Sequence, residues 1–133
     1  MKVRSSPPET ASNLRRRHGA AAEDLAVAYL GTQGSSVLAR NVRCKGGEID
    51  IVCLDGPCLA VIEVRQRESA HFGGAFASVT RAKQRKIIRA ARYLMQTSEE
   101  HRGRLMRFDV IGVEGLPEGV HRISWIKDAF RAR

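Results

Sequence analysis

A chain of 133 residues is long enough for one domain with a modest core, and 43% apolar content is ordinary for a globular protein. Lysine and arginine number 23 against 14 acids, a net charge of +9, which favours a polyanionic partner: nucleic acid first, an anionic membrane surface second. No apolar run approaches the ~20 residues that span a bilayer, and the polar, basic N-terminus lacks a secretory apolar core, so a cytoplasmic location without a membrane partner is expected.

Residues 1–13 carry Ser5, Ser6, Pro7 and Pro8 with no period and read as a flexible tail, leaving 14–133 as a single domain. Over 14–30, Ala22, Leu25, Ala26, Tyr29 and Leu30 recur at i, i+3, i+4, i+7 spacing, a helix that Gly31 and Gly34 end. At 100° per residue Glu23 lies on the edge of this stripe, while Asp24 points away. Glu23 is thus either an acid that reaches the sheet surface or an exposed helix glutamate.

Residues 36–43 predict the first strand, and Lys45-Gly46-Gly47 after it is a plain turn or a phosphate-facing loop. Two apolar, β-branched runs follow, 46–54 and 59–67, joined by the hairpin chemistry of Asp55-Gly56-Pro57. Both runs carry charges among their hydrophobic residues. Side chains alternate along a strand, so Glu48 shares a face with Asp50, and Glu63 shares one with Arg65 and Arg67. An in-register hairpin brings Asp50 and Glu63 together. Two buried carboxylates repel, at a cost of several kcal/mol unless a cation compensates, and Mg²⁺ (or Mn²⁺) is the cation that such oxygens suit. Glu48 can join a second metal or pair with an arginine.

Residues 68–77, with His71 and Gly73-Gly74, read as a mobile loop beside this site; His71 stays outside the catalytic set. The next helix spans 79–96, with Ile87, Ile88, Ala91, Leu94 and Met95 on its apolar face. Gln84 projects near the middle of that face, Thr80 within it and Lys83 at its margin. Either the helix end emerges from the core, or Thr80, Lys83 and Gln84 border the acids and meet a phosphate. Arg81, Arg85, Lys86, Arg89 and Arg92 make the outward face, a solvated basic surface or a strip for a phosphate backbone.

Residues 98–103 form a polar loop, and 105–113 and 120–126 two more strands around a turn at 115–119. The strand–helix–strand order from Ala60 to Val113 predicts a parallel crossover. Asp109 suits a structural salt bridge, Trp125 the core, and 127–133 a terminal helical turn. Cys44, Cys53 and Cys58 are odd in number without a CxxC spacing, which supports neither a disulfide framework nor a zinc site; Cys53 reads as a buried thiol. No Walker pattern or GxGxxG is present, so no nucleoside-triphosphate site is expected.

Asp50, a gap, then Glu63-Val64-Arg65 resembles the active site of the PD-(D/E)XK nuclease superfamily. The run from Asn41 to Asp50, with Ile62–Arg67, Phe72-Gly73-Gly74, Ala77–Gln84, Arg107–Val110 and Trp125–Phe130, resembles more narrowly the YraN family of small bacterial proteins. The likeness covers most of the chain from Gly19 onward. It implies an α/β, restriction-endonuclease-like fold, a mixed β-sheet flanked by α-helices. It also implies a Mg²⁺- or Mn²⁺-dependent endonuclease that hydrolyses DNA, more than RNA, on branched or structured substrates. The alternative is a non-catalytic nucleic-acid-binding module that keeps the fold. Carried over, the metal ligands are Asp50, Glu63, the Val64 carbonyl and Glu23. Arg65 and Lys83 complete the catalytic set, and Arg67, Thr80 and Gln84 contact nucleic acid. Junction resolvases of this fold act as symmetric dimers, so the resemblance allows a homodimer. One position departs from the pattern: the usual lysine is Arg65. Arginine clamps phosphate but does not deprotonate near neutrality, so a lysine proton shuttle would fall to Lys83.

Overall fold

Helix α1 (Ala11–Thr32) leads into strands β1 (Ser36–Cys44), β2 (Gly47–Asp55) and β3 (Cys58–Arg67). A short helix α2 (Gly74–Ala77), helix α3 (Arg81–Thr97) and a 3₁₀ turn (Glu99–His101) precede β4 (Leu105–Gly115) and β5 (His121–Phe130). The computed structural model describes residues 11–67, 74–115, 119 and 121–132. Residues 1–10 of the expected tail, 68–73 of the expected loop with His71 among them, 116–118 and 120 of the expected turn, and 133 lie outside the described residues. The first helix starts three residues ahead of the expected Leu14.

The strands form one sheet in the order β1-β2-β3-β4-β5. Neighbours run antiparallel except β3 and β4, which are parallel and joined through α2 and α3. That is the crossover expected from the strand–helix–strand order. The fold is mixed α/β, of the restriction-endonuclease-like kind.

Alternation along β3 divides the core. Leu59 and Val61 pack with Ile87, Ala90 and Ala91 of α3. Ala60 and Ile62 pack with Ala26 and Leu30 of α1. The central strands are therefore apolar on both faces, which is why 46–54 and 59–67 read as nearly continuous hydrophobic runs. Each fully buried Ile or Leu contributes about 1.5–3 kcal/mol, so the two clusters clamp the sheet from both sides.

The β1–β2 link settles an alternative left open by the sequence. Gly46 has φ 90°, and a Cβ on Gly47 would stand 2.6 Å from the Lys86 carbonyl oxygen. The glycines let a plain turn lie directly on α3, which leaves no open phosphate-facing loop.

The C-terminus corrects another expectation. Residues 127–130 continue β5 and form no helical turn. Pairing jumps from Val110↔Ile126 to Phe108↔Phe130, so β5 bulges opposite Asp109, with Asp128 at φ 53°. The bulge serves Asp109, which is fully buried. Its carboxylate accepts from Arg107 Nε and Nη2 (both 2.8 Å), Trp125 Nε1 (2.9 Å) and the Asp128 N–H (2.9 Å). Asp55 joins through Arg107 and Lys127, both at 2.9 Å, and Lys127 Nζ also lies 4.3 Å from the Trp125 ring centroid. Asp109 is thus the structural ion pair expected of it. Trp125 is half-buried, its indole tied to the same network. Cys53 is buried, and burial pushes its thiol up to about 11, as an inert core cysteine requires.

Asp109→Ala would leave the Arg107 guanidinium without its main partner. Denaturant unfolding is expected to show a loss of about 3–5 kcal/mol. A loss under about 1 kcal/mol would mean that the network only decorates the bulge.

Candidate active site

The β2–β3 ladder runs from Asp55↔Cys58 to Ile51↔Ile62 and stops there. The next pair in the same register is Asp50 opposite Glu63. Instead of a backbone partner, the Val64 N–H donates to Asp50 Oδ2 at 2.9 Å. The strands part, and a carboxylate fills the gap. On β1 the position facing Asp50, between Arg40↔Ile51 and Val42↔Ile49, is Asn41, held at φ 51°.

Asp50 and Glu63 lie close enough that each carboxyl alters the proton affinity of the other. Glu63 is almost fully buried. Burial, then the Asp50 charge, raises it to about 8, against the opposing pull of Lys83 and Arg65. Asp50 is also raised, by burial first, while the Val64 N–H and Glu63 hold it down. Two cations face Glu63 Oε1: Arg65 Nη1 at 3.5 Å and Lys83 Nζ at 3.9 Å. The pair expected from register is therefore present, with both sequence-predicted cations beside it.

Glu23 reaches the same neighbourhood from α1. Burial, then the charges of Asp50 and Glu48, lifts it to about 7, with Arg40 and Asn41 offsetting part of this. Asp24 points outward and pairs with Arg40 at 2.8 Å, as the helical projection requires. Glu48 raises both Glu23 and Asp50, and no described cation pairs with it within 4.0 Å.

No three His, Cys, Asp or Glu side chains among the described residues are arranged to share an ion, so Glu23 does not complete a ready-made cage. The pair itself fits a hard divalent cation. Its donors are oxygens, and Mg²⁺ binds through one or two carboxylates while keeping several waters. In an extended strand N–H and C=O project to the same side, so the Val64 carbonyl opens on the Asp50 side.

The remaining residues sort by what they touch. Arg65 spends Nε on Ser78 Oγ (2.9 Å) and Nη2 on the Ser78 carbonyl (2.7 Å). Ser78 was not singled out from the sequence, because nothing in its spacing marks a contact made across the crossover. Thr80 is exposed and caps α3, its hydroxyl accepting from the Lys83 N–H. Gln84 Nε2 donates to the Val79 carbonyl at 3.1 Å. Arg67 is exposed at the end of β3. The helix projection shifts in one respect: the buried positions Ile87, Ala90 and Ala91 centre the inner face closer to Lys83 than to Gln84. The lysine therefore sits over the acids, and the glutamine lies to one side.

These features define the class first: a small, basic α/β protein of restriction-endonuclease-like architecture. Residues 22–113 match uncharacterised protein family UPF0102, and the chain belongs to that family, the YraN family of the sequence resemblance. It is 48% identical to a UPF0102 protein of Cupriavidus taiwanensis, over 89% of this chain and 86% of the relative. Relatives in Halorhodospira halophila and Pseudomonas putida are each 42% identical, over 93% and 86% of this chain and 95% and 93% of their own.

A carboxyl with a higher pKa folded than unfolded binds its proton more tightly in the native state. Stability then falls as pH rises from about 4.5 to about 8, the interval over which Glu63 is protonated only in the folded chain. In EDTA, Glu63→Gln is expected to flatten that decline, melting above wild type at pH 8.5 and close to it at pH 5. Melting curves whose difference is constant across that range would contradict a buried Glu63 with raised proton affinity.

Proposed function

We propose that this protein is a Mg²⁺- or Mn²⁺-dependent endodeoxyribonuclease of the PD-(D/E)XK type, acting on branched or structured DNA in the cytoplasm. The supporting observation is the Asp50–Glu63 pair where the β2–β3 ladder ends, with Lys83 and Arg65 facing Glu63. Such a buried pair destabilises its own fold unless positive charge arrives, which makes sense for a site that binds a cation.

Asp50, Glu63 and the Val64 carbonyl would hold the ion, with Glu23 and Glu48 behind them. When bound, a divalent ion polarises a phosphate and lowers the pKa of an attacking water. The chain supplies the rest. Lys83 is the group beside Glu63 able to exchange a proton; Arg65 keeps its own and offers its uncommitted N–H groups to a phosphate oxygen. Ser78 fixes the plane of that guanidinium. Exposed Arg67 and Thr80 can meet neighbouring phosphates, and Gln84 can do so with the part of its amide that Val79 leaves unused.

A proton held by Glu63 must leave before an ion binds, so metal affinity should rise with pH. Millimolar Mn²⁺ is expected to raise the melting temperature more at pH 8.5 than at pH 6, and not at all in Asp50→Asn/Glu63→Gln. An equal shift in wild type and variant would place the ion elsewhere.

Arg65 supports a second reading, a nucleic-acid-binding module without chemistry, because a guanidinium stands where the superfamily places a lysine. Single-stranded, duplex and four-way-junction DNA incubated with Mg²⁺, Mn²⁺ or EDTA separate the two. Metal-dependent cleavage is expected, lost in Asp50→Asn/Glu63→Gln and reduced about 10²–10⁴-fold in Lys83→Ala if that residue moves the proton. Binding without cleavage under every metal would leave the module.

A further inference from the structure

Along α3 a groove of about 940 Å³ runs between that helix and the end of β5. Arg81, Arg85, Arg89 and Arg92 line it from the helix and Arg131 with Asp128 from the opposite wall, with Phe76 as a further lining residue. The helical arginines recur every three or four residues, so they rise about 6 Å from one to the next along a single line. Among the described residues none of these four has a carboxylate partner within 4.0 Å. Arg131 is different, being held by Asp128 at 2.7 Å. The floor is apolar, made by Ile88 and by Phe130, which stacks on Phe108 at 5.2 Å.

We propose that this groove is a binding track for one unpaired strand of nucleic acid, its phosphates on the α3 arginines and a base against Phe76. Four guanidiniums in a row would repel one another without a polyanion, and their single line matches one backbone. Apolar and aromatic surface beside a single row of guanidiniums selects unpaired bases, whose faces are free to stack; a duplex keeps those faces inside its own helix. Phe76 is 39% exposed, so its ring is open to a ligand. The track leads to the candidate active site: Gln84 lines it, and the adjacent Lys83 reaches Glu63. A strand lying in the groove would pass the first turn of α3 on its way to the acids. The inference deepens the nuclease reading by assigning a single-stranded arm of the substrate to this groove, and it rests on that reading only for what happens to the strand afterwards.

The test is fluorescence anisotropy with a labelled 20-nucleotide single strand, in EDTA across a salt series, with wild type and Asp50→Asn/Glu63→Gln. The same-sequence duplex and phosphatidylserine vesicles serve as competitors. Arg85→Ala/Arg92→Ala is expected to weaken single-strand binding at least tenfold and to reduce the salt slope by about 1.4, or about 0.7 for each phosphate no longer neutralised. Phe76→Ala should weaken it about tenfold without changing the slope. Arg102→Ala/Arg104→Ala removes the same charge outside the groove and should have a much smaller effect. Melting temperatures identify any variant that fails to fold, and Arg85→Lys/Arg92→Lys, which keeps the charge, should recover most of the affinity and the slope. Equal losses in the two arginine-to-alanine doubles, no loss in Phe76→Ala, or stronger competition by duplex or vesicles than by unlabelled single strand would each overturn the track. Because no metal is present, absence of cleavage leaves this result untouched, and cleavage that persists while groove variants bind normally removes the track alone.

Discussion

Two carboxylates placed side by side where a sheet opens are the constraint on which the rest of this molecule turns. Backbone pairing between β2 and β3 would continue through Asp50 and Glu63 if it could. It ends at Ile51↔Ile62, and the Asp50 side chain takes the N–H of Val64 that a neighbouring strand would otherwise satisfy. The strands must be rigid up to that point for the acids to meet. The two apolar clusters supply the rigidity, one beneath α3 and one beneath α1.

Burial makes the pair costly, and the surrounding elements reduce that cost without cancelling it. Lys83 and Arg65 face Glu63, yet Glu63 still holds a proton near neutrality because desolvation outweighs both cations. Arg65 is itself restrained by Ser78 in the crossover between β3 and α3, so the position of one guanidinium links the sheet to the helix that carries Lys83. The parallel β3–β4 step is what makes this possible: its connection must cross the sheet, and in crossing it brings α3 over the acids. On the opposite face of the sheet, one strand over, Asp109 performs a purely structural task with similar chemistry. There four donors satisfy one buried carboxylate completely. The contrast between a satisfied acid and an under-compensated pair separates scaffold from site.

Much of this was legible in the chain because it depends on short-range periodicity. Alternation in 46–54 and 59–67, with Asp55-Gly56-Pro57 between them, is enough to set the hairpin register and hence the meeting of Asp50 with Glu63. Helical spacing placed Glu23 at the edge of its stripe and sent Asp24 outward to Arg40. The strand–helix–strand order was enough for the parallel crossover. What failed was local reading where distant partners decide. Residues 127–130 are strand because Phe130 pairs with Phe108 and the Asp128 N–H binds Asp109, partners 19 or more residues away in sequence. Gln84 moved aside and Lys83 inward because the helix rotates to bury Ala90 and Ala91, a choice set by the packing surface of the sheet.

The sequence by itself determined the α/β class, the hairpin, the acid pair and the excess of positive charge, since each follows from the order of residues within one or two elements. Only the tertiary structure decided which cations face Glu63, how Arg65 is held, and that four α3 arginines share a groove with the end of β5. Those outcomes depend on how α3 lies across the sheet, and that orientation is set by packing between elements far apart in the chain.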